Sequence, residues 1–489
     1  MFKSNQIRIS FFYLISVGFI LLNLWLVVNK HMLYLNVLPL VFLLLLVAVY
    51  SFDKIIYLIV FFTPLSIPLR KLIPGFGFDM DLPTEPLIFG LLIVFLLKVL
   101  QKRKFDKKIF WHPVSLAVYL NLFWILVTSI TSTMPLVSFK FLLMRIWFVA
   151  IFYFLTAKLF SQGKHMEKYV WLYVVPFMGV IFYATFRHLG YGLWDKQAAH
   201  FVVAPFYNDH TSYGASLAFY LPFLLMFVLD KSLEKKWRTF ATFAFLVVLM
   251  GFILSYSRAA WLSLVASIGL WFILLLKIRF KTILITVFSA ALIFFTFQQQ
   301  ILMKLEQNSH ESSANLGTHI SSMSNISSDA SNLERINRWS CAIRMFEDKP
   351  VLGFGPGTYM FQYAPYQLTK DRTIISTNAA DGGNAHSEYL GPLSESGLLG
   401  LLTFLLILGT ITYTAITTYS RAADPRLKKI VLVAFLGLVT YYLHGFLNNF
   451  LDTDKLSVPF WGFTAMIVAI DIISRKQAKP AETDSPAIR

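Results

Sequence analysis

The chain has 489 residues, of which 57% are hydrophobic and only 14% charged, and 48 of them are phenylalanine. That composition excludes an ordinary soluble domain, and the single cysteine, Cys341, excludes an intramolecular disulfide and a cysteine-based metal site. The formal charge of +17 points first to nucleic acid, but the basic residues sit in the gaps between apolar runs, which makes them a topology signal.

Apolar runs of the length a helix needs to cross a bilayer recur along the chain, and with no water there to satisfy backbone groups, helices are the expected form. The first run, 11–28, is followed by "NKHM" rather than a small-residue cleavage site, so it reads as a retained helix. Further spans are expected at 33–50, 55–69, 84–100, 109–131, 141–160, 169–187, 213–230, 239–256, 260–277, 282–298, 396–418, 430–450 and 457–473. The short, proline-containing 55–69 is the weakest of them. The fold expected is an all-α polytopic membrane bundle of about 12–14 transmembrane helices. It divides into N-terminal spans (1–298), a large loop (299–395), C-terminal spans (396–473) and a tail (474–489).

An even number of spans puts both termini on one side. The clusters "LKVLQKRKFDKK" (97–108), "KSLEKKWR" (231–238), "KIRFK" (277–281), "SRAADPRLKK" (420–429) and "SRKQAK" (474–479) then share that side with most of the Lys and Arg. Lys/Arg bias marks the cytoplasmic face, with some attraction to anionic lipid. Partners are therefore expected to include the lipid bilayer and no nucleic acid.

Two long segments fall on the other side, 188–212 and 299–395. Within the second, 308–332 is rich in Ser and Asn. The stretch after it places Leu333, Ile336, Trp339, Ile343 and Phe346 at helical spacing, which predicts an amphipathic helix lying on the membrane or on the bundle. "GFGPG" (353–357) lacks Walker or dinucleotide spacing and reads as a turn. Loops of this length in compact proteins are usually functional.

The titratable groups on that side are the candidates for chemistry. His386 stands just before a membrane helix, and imidazole accepts a proton near neutral pH. Arg258, in "SYSRAAWLSL", lies at a helix junction, where an embedded charge is expensive; the competing reading is an interfacial anchor beside Trp261. Arg335, Arg338 and Arg344 share the amphipathic segment, and Arg145 is a further embedded candidate. A guanidinium fork suits phosphate, so two or three such residues would hold a lipid diphosphate. Glu395 is either a supporting group or a carboxylate favoured at a helix start. His210 of "NDH", with His444, Asn448, Asn449 and Asp452, lines a cavity or bonds helix to helix. No convincing carboxylate pair for a metal and no ATP motif occurs, so no metal and no cofactor is expected, and the energy for any reaction must reside in the substrate.

The order "SYSRAAWLSL", long loop, "RINRWSCAIRMFEDKPVLGFGPGTY", then "NAHSEYLGPLSESGLLGLL" resembles the O-antigen ligase and O-antigen polymerase superfamily of bacterial envelope glycosyltransferases. The family's Ser-Arg maps to Ser257-Arg258, its Arg-x-x-x-Trp to Arg335 and Trp339, and its Pro-x-x-Gly-x-Gly to Pro350, Gly353 and Gly355. Its histidine maps to His386, followed here by Ser387 where many members have Asn. The spacing to Trp339 favours Arg335 over Arg338 as the phosphate ligand. The resemblance implies a glycan donor on undecaprenyl diphosphate, inverting and metal-independent transfer, Arg258 and Arg335 on the diphosphate, and His386 as base. It also implies an active site on the periplasmic face of the bacterial inner membrane. Among acceptors, lipid A–core ranks first, ahead of another lipid-linked repeat unit or a protein hydroxyl. From another class, a transporter of a lipid-linked solute would place charges at the bilayer midplane and break helices in paired positions.

Overall fold

The structure, a computed structural model, describes residues 2–30, 36, 39, 47, 50–73, 80–102, 106–277, 330–372, 376 and 383–478. Among them, ten helices are long and apolar enough to cross a membrane, and the only strand pairing is a two-residue ribbon, Ile67–Pro68 with Asp81–Leu82. The chain is thus an all-α polytopic membrane protein. The helices in chain order are α1 (Phe2–Lys30), α2 (Phe52–Phe62), α3 (Thr84–Lys102), α4 (Pro113–Ile130), α5 (Pro135–Phe160), α6 (Met166–Leu189) and α7 (His210–Leu229). They continue with α8 (Lys235–Leu254), α9 (Arg258–Leu275), α10 (Ala330–Asp348), α11 (Leu390–Arg421), α12 (Pro425–His444) and α13 (Asp454–Ala478).

The expected spans at 282–298 and, for the most part, 33–50 lie outside the described residues. The run 55–69 becomes the 11-residue α2 followed by a turn. Pro64 and Pro68 end it there, since proline lacks the N–H a helix interior needs.

Local chemistry fixes the other helix ends. Proline occupies the first turn of α4, α5 and α12, where its missing N–H costs nothing. Asp209 caps α7 by accepting from the N–H groups of Thr211 and Ser212, both at 2.8 Å. Asp424 caps α12 in the same way. Ser257 accepts from Ala260 N at the start of α9.

The apolar helix α13 is buried over almost its whole length and is the axis of the bundle. It packs on α5, α7, α11 and α12, and Phe463 of α13 meets the rings of Phe219, Tyr220 and Phe223 of α7. A π-helical turn, Val149–Leu155, widens α5 where it lies on α13. Around this axis α7, α9 and α12 pack on one another, and α4 packs on α11. None of the described side chains of α1 from Tyr13 onward is buried.

Helix α11 is broken at Gly397 (φ 69°, ψ −170°). The break receives the 350–359 turn: Leu398 N donates to Pro350 O (2.9 Å) and Gly355 N to Glu395 O (2.8 Å). A Cβ at Gly397 would lie 2.1 Å from Val351 O. The left-handed backbone and the close approach both require glycine here.

The amphipathic segment is α10, and it turns a different face to the protein than the apolar stripe. Its buried side chains are Glu334, Asn337, Arg338, Cys341, Ala342 and Met345, whereas Ile336 and Ile343 are 39% and 44% exposed. The apolar edge is left outward, as on a helix lying in a membrane interface.

Candidate functional site

The N-terminal ends of α7, α9, α11 and α13 and the C-terminal ends of α6, α8 and α12 meet at one end of the bundle, because the antiparallel connections alternate direction. Two corners of that end carry the charged groups.

The first corner joins α7 to α9. Gly214, one turn into α7, has no side chain, and a Cβ built there would lie 2.7 Å from Ser257 Cβ and 3.2 Å from Ala260 Cβ. Small residues therefore let the backbones touch and bring Arg258 beside His210, which shares Gly214's helix face at i, i+4. Tyr256, just before the α9 cap, has φ 49°, a left-handed conformation costly for an aromatic residue. The rings of His200 and His210 meet edge to face at 3.9 Å between centroids. Burial works against ionisation of Asp209, but hydrogen bonds from Ser212 N–H and the Thr211 hydroxyl outweigh it and hold the carboxyl below its ordinary range. Gly214→Val is expected to push α9 away, lowering stability by about 1–3 kcal/mol for overpacking and displacing Arg258. Thermal unfolding of the purified variant, with α9 mobility followed by a spin label, checks this.

The second corner joins α10 to the start of α11. Trp339 Nε1 donates to the carbonyl of His386 (3.2 Å), and His386 N donates to Asn384 Oδ1 (3.0 Å). Held from both sides, His386 takes φ 48°, a strained conformation of the kind that gathers at functional sites. Ser387 Oγ accepts from the N–H groups of Tyr389 and Leu390 (3.2 and 3.3 Å), which fixes the turn leading into α11. Burial, followed by the positive charges of Arg335 and Arg338, lowers the His386 imidazole to about 4; the ring is neutral at pH 7. Asp209 and Glu334 act on it in the opposite sense, so Asp209 of the first corner is within reach of the second.

The two arginines of α10 differ. Arg338 is buried, donates from Nε to Glu334 Oε1 (2.7 Å) and lies 4.0 Å from the centre of the Tyr363 ring. Its carbonyl accepts from Tyr359 OH (2.8 Å). Tyr359 and Tyr363 are part of a small core that also includes Cys341, Met345 and Ala385. Arg335 is only part-buried and lies within electrostatic reach of His386, His210 and His444. Arg258 reaches His210 from the other side. Arg344 is held by Asp371 (2.6 Å) and Tyr366 O (2.5 Å).

Glu395 and Arg145 act on one another. Glu395 accepts from Tyr359 N (2.9 Å) and latches the glycine turn to the break in α11. Arg145 bears on Asp452. Burial first, then Glu388, raises the Asp452 carboxyl to about 6. Glu388, not anticipated from the sequence, is buried and accepts from the main-chain N–H groups of Phe450 (2.7 Å) and Leu451 (2.9 Å) and from Tyr441 OH. It locks the histidine segment to the α12–α13 connection. Its partners are mostly main chain some sixty residues on, and main-chain donors leave no mark in a sequence. Among the described residues, no group of three or more His, Cys, Asp or Glu is placed to hold a metal ion.

Fold and site together define a polytopic helical membrane protein with imidazole and guanidinium groups gathered at one end of its bundle. Residues 243–405 match the family model described as O-antigen ligase. That match supports the O-antigen ligase and polymerase superfamily and a membrane glycosyltransferase of that type. The matched segment contains Arg258, Arg335, Arg338, His386 and Glu395, and leaves out Arg145, His210 and His444. No curated protein matches the chain.

Proposed function

We propose that the chain transfers a glycan from undecaprenyl diphosphate to an acceptor hydroxyl at the periplasmic face of the bacterial inner membrane, with lipid A–core as the acceptor. The observation that carries this reading is a part-buried, neutral imidazole facing Arg335, which in turn shares the neighbourhood of His210 with Arg258 of another helix. The acceptor oxygen attacks the anomeric carbon from the face opposite the diphosphate. The carbon–oxygen bond to the diphosphate breaks and its electron pair leaves on that oxygen, while the hydroxyl proton passes to His386. Arg258 and Arg335 offset the charge gathering on the leaving group. Configuration is inverted, because one displacement occurs and no sugar is held covalently.

Arg335, one of the guanidinium charges that suppress protonation of His386 in the free protein, is neutralised when a diphosphate binds. The imidazole then becomes a stronger base as the donor arrives. The neutral ring is the active form, so activity falls as pH drops through the pKa of His386. For the free protein, kcat/KM is expected to keep its acid limb near pH 4, and kcat, which reports the complex, to show that limb at higher pH. Coincident acid limbs would remove the link between donor and base.

The test of the function itself is a reconstituted assay with lipid-linked glycan and lipid A–core, together with lipopolysaccharide from cells lacking the gene. Loss of long-chain material with accumulated lipid-linked polymer supports ligation. Core bearing a single repeat identifies a polymerase instead, and unchanged lipopolysaccharide overturns both.

A further inference from the structure

The proposed chemistry leaves two imidazoles unused, each with a buried ring nitrogen. His444 ends α12 and is 1% exposed. Its Nε2 lies 3.1 Å from Asn448 Nδ2, while its Nδ1 is buried without a partner. His210, at the start of α7, likewise has a buried Nδ1 with no partner.

The packing of α7 on α12 puts the two rings at one level. A Cβ at Gly437 of α12 would lie 2.7 Å from Phe219 O of α7, so those positions are in register. At 1.5 Å per residue, His444 stands about 10 Å above that point along α12 and His210 about 13 Å along the antiparallel α7. His444 lies within electrostatic reach of Asp209, Arg335 and His210, which sets the pair near the proposed diphosphate ligand. Near the membrane interior an unpaired polar atom is costly, and two at one spot point to a ligand that supplies the missing bonds. A neutral imidazole has one N–H and one lone pair, the complement of a hydroxyl. It adds no charge to compete for phosphate.

We infer that His210 and His444 form a floor that binds hydroxyl groups of the sugar attached to the diphosphate, separating donor lipid that carries a glycan from spent lipid that does not. This rests on the proposed function and deepens it, since it adds a specificity site distinct from the phosphate ligands and from the base.

The test uses the full chain in nanodiscs and two probes. One is bare undecaprenyl diphosphate and the other is the lipid-linked glycan isolated from cells lacking the gene. Wild-type protein is expected to bind the glycan-bearing lipid at least about tenfold more tightly, the equivalent of one or two net hydrogen bonds. His444→Leu and His210→Leu are each expected to lose most of that increment while keeping affinity for the bare lipid. In turnover they raise KM for the donor more than they lower kcat, and His444→Gln recovers part of the increment. If His444→Leu fails to fold, His210→Leu and His444→Gln carry the comparison. Leucine variants that keep the full increment, or wild-type protein that binds both probes equally, would overturn the inference alone. Wild-type protein that binds neither probe would instead overturn the diphosphate reading on which it stands.

Discussion

Replacing His386 by alanine is expected to lower glycan transfer by about a hundred- to ten-thousandfold, the range a positioned general base supplies. Protein level and membrane insertion should stay as in the wild type. The ring is only part-buried, and its connections to the bundle run through its main chain, to Trp339 and Asn384. Alanine keeps both bonds. The variant therefore removes the imidazole without removing what holds it, and initial rates in the reconstituted assay isolate its chemical contribution. Alanine adopts the left-handed φ of 48° less readily than histidine, so a modest loss of stability in thermal unfolding accompanies the loss of rate. Normal transfer by this variant would eliminate the proposed base.

The second large effect separates two arginines three residues apart. Arg335→Ala is expected to reduce transfer by about a hundred- to a thousandfold, the scale for removing one preorganised group that stabilises developing charge. Arg335→Lys should recover only part of it, because an ammonium lacks the planar fork. Stability should be nearly unchanged. Arg338→Ala should behave in the reverse manner. It strands Glu334 in a buried site, and breaking such a pair costs about 3–5 kcal/mol, so the melting temperature falls sharply. The comparison is read from donor-dependent rates and thermal unfolding of the same preparations. A rate loss confined to Arg338→Ala would move the diphosphate contact to the wrong arginine.

Most of the bundle was legible because burying a helix in lipid demands an unbroken apolar stretch, and such stretches announce themselves. Helix ends were less so. The span expected at 396 begins at Leu390, since Gly391, Pro392, Ser394 and Glu395 interrupt the apolar pattern in the turns before the break at Gly397. The order of Arg258, Arg335 and His386 along the chain was readable, but the contacts of Arg338 with Glu334 and Tyr363 were not, since only the folded helix brings them together. The amphipathic helix was foreseen, but its buried face was not. Polar Glu334 and Asn337 pack inward because they find Arg338, Gln367 and Ser376, partners that helical periodicity cannot display. The gathering of His210 and His444 depends on the register of two helices far apart in sequence, which only tertiary packing sets.

The hydrogen bond from Trp339 to the His386 carbonyl makes α10 and the imidazole segment a single jaw, carrying its own arginine. Arg258 and His210 belong to the opposing jaw, fastened to each other through Gly214. The lipid-linked donor proposed above would then meet two sets of groups, each already fixed in register by its own contacts.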